Sequence, residues 1–579
     1  MKQFLLLFAT CRYKSTAFLF LAASLLAHAQ APVWQTATAI ATAVPGRGMV
    51  AVSATAADTS GNVYVAGQFM GAVTFGNTTL TSLGGSDGFV TKWSSATGNF
   101  AWVQRVGGLD DDDVTAVAVT SSGIYLTGNF ARNCSFGSTT LTSAGYSDAF
   151  IAKLADAGST GSFTWVKQAG STANDRATSL AVNGTSVYVA GSFSGSSASF
   201  GPIHLSNATN TDDAFVTKLE DAGLNSSFIW AQRAGGLATD RVTAMAVNGS
   251  DVYIAGYFQG TASFGGTPLT SAGNFDGFVS HLIDTGISSN FLWTQRVGGP
   301  GYDGAFALAA NGASVYVAGN FTGTANFGST RLRSMNTTDT DVFVAKITNA
   351  GTSSDFTWAE RAGGPNDDYA NALALNGSSV YVAGNIGNAP AYFGNIVLPT
   401  THGGNDLFVA RLTDKGSTTS FKWVQQAGGS QGDNAYGLAV TRNGTLYVGG
   451  YVSQPASFGA LVFNNQVAGT AGFMASFTDT PTAPLTPLTT LSSAEPMGIT
   501  VYPNPAHTTA TVQLAAGSGA SQTTFMLLDA LGRTVRTHAT AWPATDLRYE
   551  LDLSGLSPGI YALRVVAGQR VATQRLIVE

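Results

Sequence analysis

Cysteine is almost absent from this chain. Only Cys11 and Cys134 occur in 579 residues, and Cys11 lies in an apolar leader. Without the leader no internal disulfide can form, so the fold rests on burial and backbone pairing alone. Charge is scarce too. Asp, Glu, Lys and Arg make up 11% of residues, where soluble proteins carry about 25%. The formal charge is −6, and losing Lys2, Arg12 and Lys14 with the leader takes it to about −9. No basic stripe opposes this, which excludes nucleic acid as an expected partner. The histidines (His28, His204, His281, His402, His507 and His538) stand at unrelated places and form no HExxH spacing. No catalytic residue, metal or cofactor is expected. Beyond the leader no run of about 20 apolar residues exists, and no membrane span is expected.

What the chain has instead is glycine, 69 residues of it, with aromatics at 11%. Gly, Thr, Ser and Val in such amounts suit short strands and tight turns, and the aromatics argue against disorder. The N-terminus reads as a signal peptide over 1–29. Arg12 and Lys14 precede an apolar run from Ala17 to Leu26, and Ala27-His28-Ala29 supplies an A-x-A site, with Gln30 as the mature start. A lipoprotein leader with Cys11 lipidated is the alternative. It is disfavoured because Arg12 and a better apolar run follow.

Internal periodicity dominates the rest. "VYVAG" and its variants place Tyr64, Tyr125, Tyr188, Tyr253, Tyr316, Tyr381 and Tyr447 at intervals of 61 to 66 residues. Trp102, Trp165, Trp230, Trp293 and Trp358 each precede the next tyrosine by 23, and Trp423 by 24. Trp34 precedes Tyr64 by 30 and reads as the same residue with a longer connection. A Phe-Gly pair follows each tyrosine, then a run such as "DAFIAKL". Each unit divides into four short strands: "TSLAV" and "SVYVAGSF" joined by Asn-Gly-type turns, then "AFIAKL" and "FTWVKQ" joined by a Gly loop. A four-stranded sheet cannot bury both faces alone and must stack on copies of itself. Radial stacking gives an all-β fold, a β-propeller of seven four-stranded blades. If "SLAV" is innermost, the repeats end on a third strand, Gly472–Phe477, and the N-terminal strand around Trp34 completes the last blade, removing two free edges. The pattern "D…LAVNG(T/S)SVYVAG.F.G…FG…DAFVAKL…G.F.W" resembles the bacterial seven-bladed propeller-repeat family over roughly residues 33–478. That resemblance implies a fold and leaves function open.

After Phe477 a Pro/Thr/Ser-rich linker spans 479–497. Alternating strands then suggest a small Ig-like β-sandwich over 498–579. The expected order is therefore signal peptide 1–29, propeller 30–478, linker 479–497 and C-terminal domain 498–579. The tail resembles the type A C-terminal sorting domain of the type IX secretion system. The matching residues are Tyr502, Pro503, Asn504 and Pro505, then Asp529 with Leu531, Gly532 and Arg533, then Pro558, Gly559 and Tyr561 in "LSPGIY", and the closing "RLIVE". The resemblance implies the type IX translocon and a sortase as partners. It also implies passage through the periplasm and outer membrane, and secretion or attachment at the cell surface.

One recurrent carboxylate set could carry chemistry: Asp112, Asp175, Asp240, Asp303, Asp368 and Asp433, each five residues before the L/V/M of the inner strand. On a propeller these form a ring, either a site for a cation or polar ligand or a set of acceptors for backbone N–H groups in their own turns. The second is expected, because a residue present in almost every blade serves the blade. Asp213, Asp276 and Asp341 stand 20 residues before Arg233, Arg296 and Arg361, and read as cross-strand pairs. The run Asp110–Asp113 reads as a solvated loop, without the spacing of a calcium loop. These readings favour a secreted or surface-attached, non-catalytic propeller that binds a glycan or protein through loops on one face. A polysaccharide hydrolase or lyase with a site at the channel mouth is the alternative. A structural or adhesive protein without a discrete ligand is another. A cluster unique to one or two blades would favour the enzyme.

Overall fold

The computed structural model describes residues 31–42, 48–388, 390–399, 401–463, 470–479, 499–514, 523–529, 534–540, 547–567 and 570–579. The leader with Cys11, all but the first residue of the linker, and Leu531, Gly532 and Arg533 lie outside the described residues. Every regular element among the described residues is a β-strand. No helix there is long and apolar enough to cross a membrane. The chain falls into two compact units, Met1–Pro481 and Thr482–Glu579.

The first unit is propeller-like, built on one recurring antiparallel meander. In the third repeat an inner strand, Asp175–Asn183, is followed by Ser186–Phe193, Asp213–Asp221 and an outer strand, Ser226–Gly236, each paired with the one before. The Asn-Gly turns after the inner strands place Gly184, Gly249, Gly312 and Gly377 at φ between 57° and 65°, which favours glycine in these tight hairpins. The third strands are buried along most of their length, as sheets covered on both faces require. Inner strands of consecutive repeats lie side by side, and the seventh, Asn434–Val440, also lies beside the first, Gly48–Ala57.

Every inner strand carries a bulge at the same place. The extra residue is Ser53, Thr115, Thr178, Thr243, Phe306, Asn371 or Tyr436. Opposite each bulge stands the glycine of "VYVAG". A Cβ on Gly191 would sit 1.8 Å from the carbonyl oxygen of Arg176, and one on Gly256 would sit 1.9 Å from that of Arg241. A larger residue in the glycine's place would collide with the bulged strand of its own sheet.

Two further strands per repeat were not anticipated. The Phe-Gly pair turns a small hairpin, such as Asn133–Phe136 with Thr139–Thr142. The hairpin reaches back to the outer strand of the preceding repeat, pairing Val106 with Phe136, Ala234 with Phe264 and Ala362 with Phe393. Neighbouring sheets are thus linked by backbone as well as by side chains.

The N-terminal strand, Thr36–Thr42, pairs with the third strand of the seventh repeat, Thr36 opposite Ser476 and Ile40 opposite Gly472. It also pairs with the first repeat's hairpin at Ala41–Thr74. This register corrects the alignment of Trp34. Trp102 stands opposite Lys92 in the first repeat. The residue opposite the equivalent Ser476 is Thr36. Trp34 therefore occupies the place of Phe100, two residues earlier, and packs edge-on against Phe458 and Phe477 at 5.3 and 4.9 Å. Its indole N–H is buried without an acceptor among the described residues.

In the second unit a three-stranded sheet (Ile499–Tyr502, Thr509–Leu514, Leu547–Asp552) and a four-stranded sheet (Thr534–Thr540, Thr523–Leu528, Gly559–Ala567, Arg570–Val578) share one apolar core. Val512, Leu514, Phe525, Leu527 and Leu563 form its centre.

Candidate ligand cleft

The bulge in each inner strand swings its extra side chain off the regular alternation, a common way to re-aim one residue. Six of these residues, all but Thr115, line a central cavity of about 800 Å³ between the inner strands. Where the residue is threonine it bridges to the next sheet: Thr115 donates to the Ala177 carbonyl at 2.7 Å and Thr178 to that of Val242 at 2.8 Å. In the fifth repeat the position holds Phe306, which bridges nothing. Gly304 makes room for it, since a Cβ there would lie 2.7 Å from the ring.

Phe306 also lines a second cavity of about 710 Å³ at the end of the sheets where inner strands begin. Its walls come from the fourth, fifth and sixth repeats, and they are aromatic. Tyr257 meets Phe275 edge-on at 5.4 Å and lies 6.1 Å from Phe306, while Phe275 lies 5.4 Å from Tyr302. Tyr369 closes the far side. Tyr302 is 56% exposed. The rim is hydroxyl-rich, with Thr239, Thr322, Thr338 and Thr340. Its cation is paired within the protein. Arg241 bonds Asp212 and donates to the Tyr257 hydroxyl at 3.2 Å. Burial works against that guanidinium's charge, but Tyr257 and Asp212 outweigh it and raise its pKa. Asp367 accepts the Thr340 backbone N–H at 2.9 Å.

None of these aromatics was singled out from the sequence. The signal lay in departures from the repeat. Where the fourth and fifth repeats have Tyr257, Phe275, Tyr302 and Phe306, the third has Ser192, Asp212, Asn174 and Thr178 at the matching places.

The expected ring residues Asp112, Asp175, Asp240, Asp303, Asp368 and Asp433 lie at this same end, all buried. Each accepts the backbone N–H four residues before it, as Gly108 gives to Asp112 at 2.6 Å and Gly299 to Asp303 at 2.7 Å. Several accept a second from the end of the next strand, as Gly387 gives to Asp368 at 2.8 Å. Burial pushes their pKa values up, to about 7 for Asp112, Asp240, Asp303 and Asp368 and to about 6 for Asp175 and Asp433. Among the described residues no three potential ligands converge on a metal position. Asp213, Asp276 and Asp341 meet Arg233, Arg296 and Arg361, but diagonally, since Phe215 stands directly opposite Arg233. The run Asp110–Asp113 is not uniformly solvated: Asp112 is buried, and Asp113 accepts the Asn129 N–H at 3.0 Å.

At the opposite end of the sheets a polar staple recurs between repeats. Asp221 accepts from the Tyr125 hydroxyl, the Lys153 ammonium and the Trp165 indole of the preceding repeat at 2.6, 2.6 and 2.9 Å. Asp156 and Asp284 do the same for Tyr64, Lys92 and Trp102 and for Tyr188, Lys218 and Trp230. Asp414 and Asp479 close the fifth and sixth junctions, the latter with Arg411 as cation. Burial alone would raise these carboxyls. The donated bonds, led by the lysine's, hold Asp156, Asp221, Asp284 and Asp414 below the usual range. This staple explains why "VYVAG" needs a tyrosine. At the fourth junction the lysine is His281, and the acceptor is Asn349, which bonds Tyr253 and Trp293. At the last junction the tyrosine is Tyr447, and Thr36, Ser476 and Ser95 replace the tryptophan, lysine and aspartate.

In the second unit the expected sorting residues hold the last strand. Asn504 donates to the Arg575 carbonyl at 2.8 Å and accepts the Ile577 N–H at 2.9 Å. Tyr502 and Pro503 lead into this clamp and Pro505 follows it. Tyr561 donates to the Ser557 carbonyl at 2.8 Å across Pro558 and Gly559.

Comparison with known proteins places the tail. Residues 500–579 match the family described as "Secretion system C-terminal sorting domain". The chain is exported by the type IX system to the cell surface or the extracellular space. It is 26% identical over 361 residues to the regulatory protein FlaEY of Caulobacter vibrioides, covering 58% of this chain and 36% of that one. The chain thus spans about a third of that relative's length. Among solved structures it aligns with an Aspergillus kawachii β-fructofuranosidase complexed with glycerol at 11% identity and a TM-score of 0.21, covering 94% and 90% of the two chains. A glycoside hydrolase family 32 protein of Bifidobacterium adolescentis aligns at 8% identity and a TM-score of 0.25, covering 94% and 95%. Likenesses of this size carry no argument about chemistry.

Proposed function

We propose that the chain is an exported, non-catalytic binding protein: a seven-bladed propeller completed by its N-terminal strand, delivered by its C-terminal domain after removal of the 1–29 signal peptide. In this reading the ring aspartates are structural, the tail's partners are the type IX translocon and sortase, and the ligand sits in the aromatic cleft. The pairing of Thr36–Thr42 with the seventh repeat supports the ring. The tail match supports delivery to an external ligand. The observation that carries the binding role is the cleft itself. It gathers the departures Tyr257, Phe275, Tyr302 and Phe306 in one place, and a departure that gives up a cross-sheet bridge at Phe306 calls for a use other than stability. No paired acid and base with a free reacting position stands out among its walls, whose charged groups are engaged in the protein's own bonds.

The test is pull-down and glycan-array screening with the mature propeller and with a Tyr302→Ala variant. Capture of a ligand by the first and not the second is expected. Equal capture by both would remove the cleft from the reading. Release of soluble fragments from a polysaccharide by the wild type would replace binding with catalysis.

A further inference from the structure

The chemistry of the cleft narrows its ligand. We infer that it takes a neutral oligosaccharide, an inference that rests on the binding role just proposed. Four features point the same way. The cavity, at about 710 Å³, falls in the range of about 300–1,000 Å³ usual for sites that enclose a small ligand. Phe275 and Tyr302 make a tilted pair at its open side, 5.4 Å apart, and Tyr257 and Phe306 continue the aromatic wall inward. Such surfaces suit a ligand with flat apolar patches. The rim offers hydroxyls, from Thr322, Thr338 and Thr340 beside Tyr302 and from Thr239 beside Tyr257. A ligand gripped there must present hydrogen-bonding groups in turn, as hydroxyls do. Arg241 is matched by Asp212, and the other charged groups on these walls are the carboxylates Asp303 and Asp367, so no unpaired cation invites an anionic ligand.

A pyranose chain meets all of these conditions: apolar C–H faces for the rings, hydroxyl edges for the threonines and no formal charge. An acyl chain would leave the threonines unused. Single-stranded nucleic acid would also stack, but it needs a cationic track, and the only cation on these walls is already paired. The openness of Tyr302 allows a chain to run past the cleft mouth, so several consecutive sugars can be held rather than a single end residue.

Affinity electrophoresis of the full mature chain tests this, with laminarin, xyloglucan, galactomannan and pullulan as neutral probes and polygalacturonate as the charged one. At least one neutral polymer should retard the protein. Tyr302→Ala should weaken that retardation about tenfold or more. Phe306→Thr, which gives the fifth repeat the residue that the second, third and fourth carry, should do the same while leaving the melting temperature unchanged or higher. Tyr146→Ala, an exposed aromatic in the second repeat outside the cleft, should change nothing. Retardation by none of the neutral polymers overturns the inference, as does retardation that both cleft variants retain or binding confined to polygalacturonate. The two proposals fail separately. Cleft-dependent capture of a protein without any polysaccharide binding keeps the binding role and removes the carbohydrate. New reducing ends in a retarding polymer keep the carbohydrate and remove the non-catalytic role.

Discussion

The buried aspartates at the head of the inner strands make a titration argument available at single residues. Their folded-state pKa values of about 6 to 7 lie above the ordinary 3.8, so the folded protein binds protons that the unfolded chain releases. Their contribution is full below about pH 4 and is lost as pH rises through 6 and 7. The staple carboxylates Asp156, Asp221, Asp284 and Asp414 act oppositely. They stabilise above their unfolded value and lose this as pH falls below about 4. Thermal scans should therefore show the melting temperature rising by a few degrees from pH 8 to pH 5 and falling again below pH 4. Asp240→Asn should be neutral below about pH 4 and increasingly stabilising as pH rises to 7 and beyond. Chelator should leave both proteins unmoved. A calcium-dependent rise of many degrees would show instead that the ring holds a cation, because a ligand bound only by the folded state stabilises it. Trp34 offers a second single-residue case. Its N–H is buried without a partner, in a place where the other sheets carry phenylalanine. An orphaned donor costs about 1–3 kcal/mol. Trp34→Phe should then be neutral or stabilising in denaturant titration, whereas most substitutions of a buried tryptophan destabilise. A loss above about 2 kcal/mol would mean that ring volume outweighs the orphaned group.

Among elements, the staple binds one sheet to the next. Lys218→Met leaves Asp284 buried with neutral donors and should cost about 3 kcal/mol, the usual result of removing one partner from a buried pair. The fourth junction shows a different solution in His281, Asn349 and Asp251, the last accepting from the imidazole at 2.7 Å. Transplanting it as Ser186→Asp, Lys218→His and Asp284→Asn together should recover more than half of that loss. Chemical denaturation of the single and triple variants measures it, and simple addition of the separate losses would dismiss the staple as a coupled unit. These elements were unevenly legible. The period, the Asn-Gly turns and the four main strands stood out because each is marked by residues that recur in register. The staple was hidden, because its acceptor lies 92 to 98 residues beyond its tyrosine, across a sheet boundary that spacing within one repeat does not reveal. The extra hairpins were missed because strands of three or four residues leave too little alternation to read. The Trp34 register failed because a longer connection moved the tryptophan into a phenylalanine's place. The cleft escaped for a related reason: attention to what recurs passes over the few positions that differ.

At the scale of the whole molecule, the tail tests the export route. Its motif residues were legible because Asn504, Pro558, Gly559 and Tyr561 are specific in combination, and the structure gives Asn504 and Tyr561 definite bonds. Deleting 499–579 should leave a folded first unit retained in the periplasm, since none of its strands among the described residues comes from beyond Thr478. Fractionation of cells expressing full-length and shortened chains, followed by limited proteolysis of the retained form, checks both halves of this outcome. Appearance of the shortened chain outside the cell would refute the sorting role. The placing of the first strand has one more consequence, which is mechanical. Thr36 and Ser476 face each other in adjacent antiparallel strands, so the chain enters and leaves the first unit at neighbouring points. A pull between the two would load a single strand pair from one end, parting its rungs in succession, beside the junction where serine stands in the staple acceptor's place. Tension on a tethered copy would thus spend itself at that seam and leave the remaining sheets, and the cleft they hold, in place.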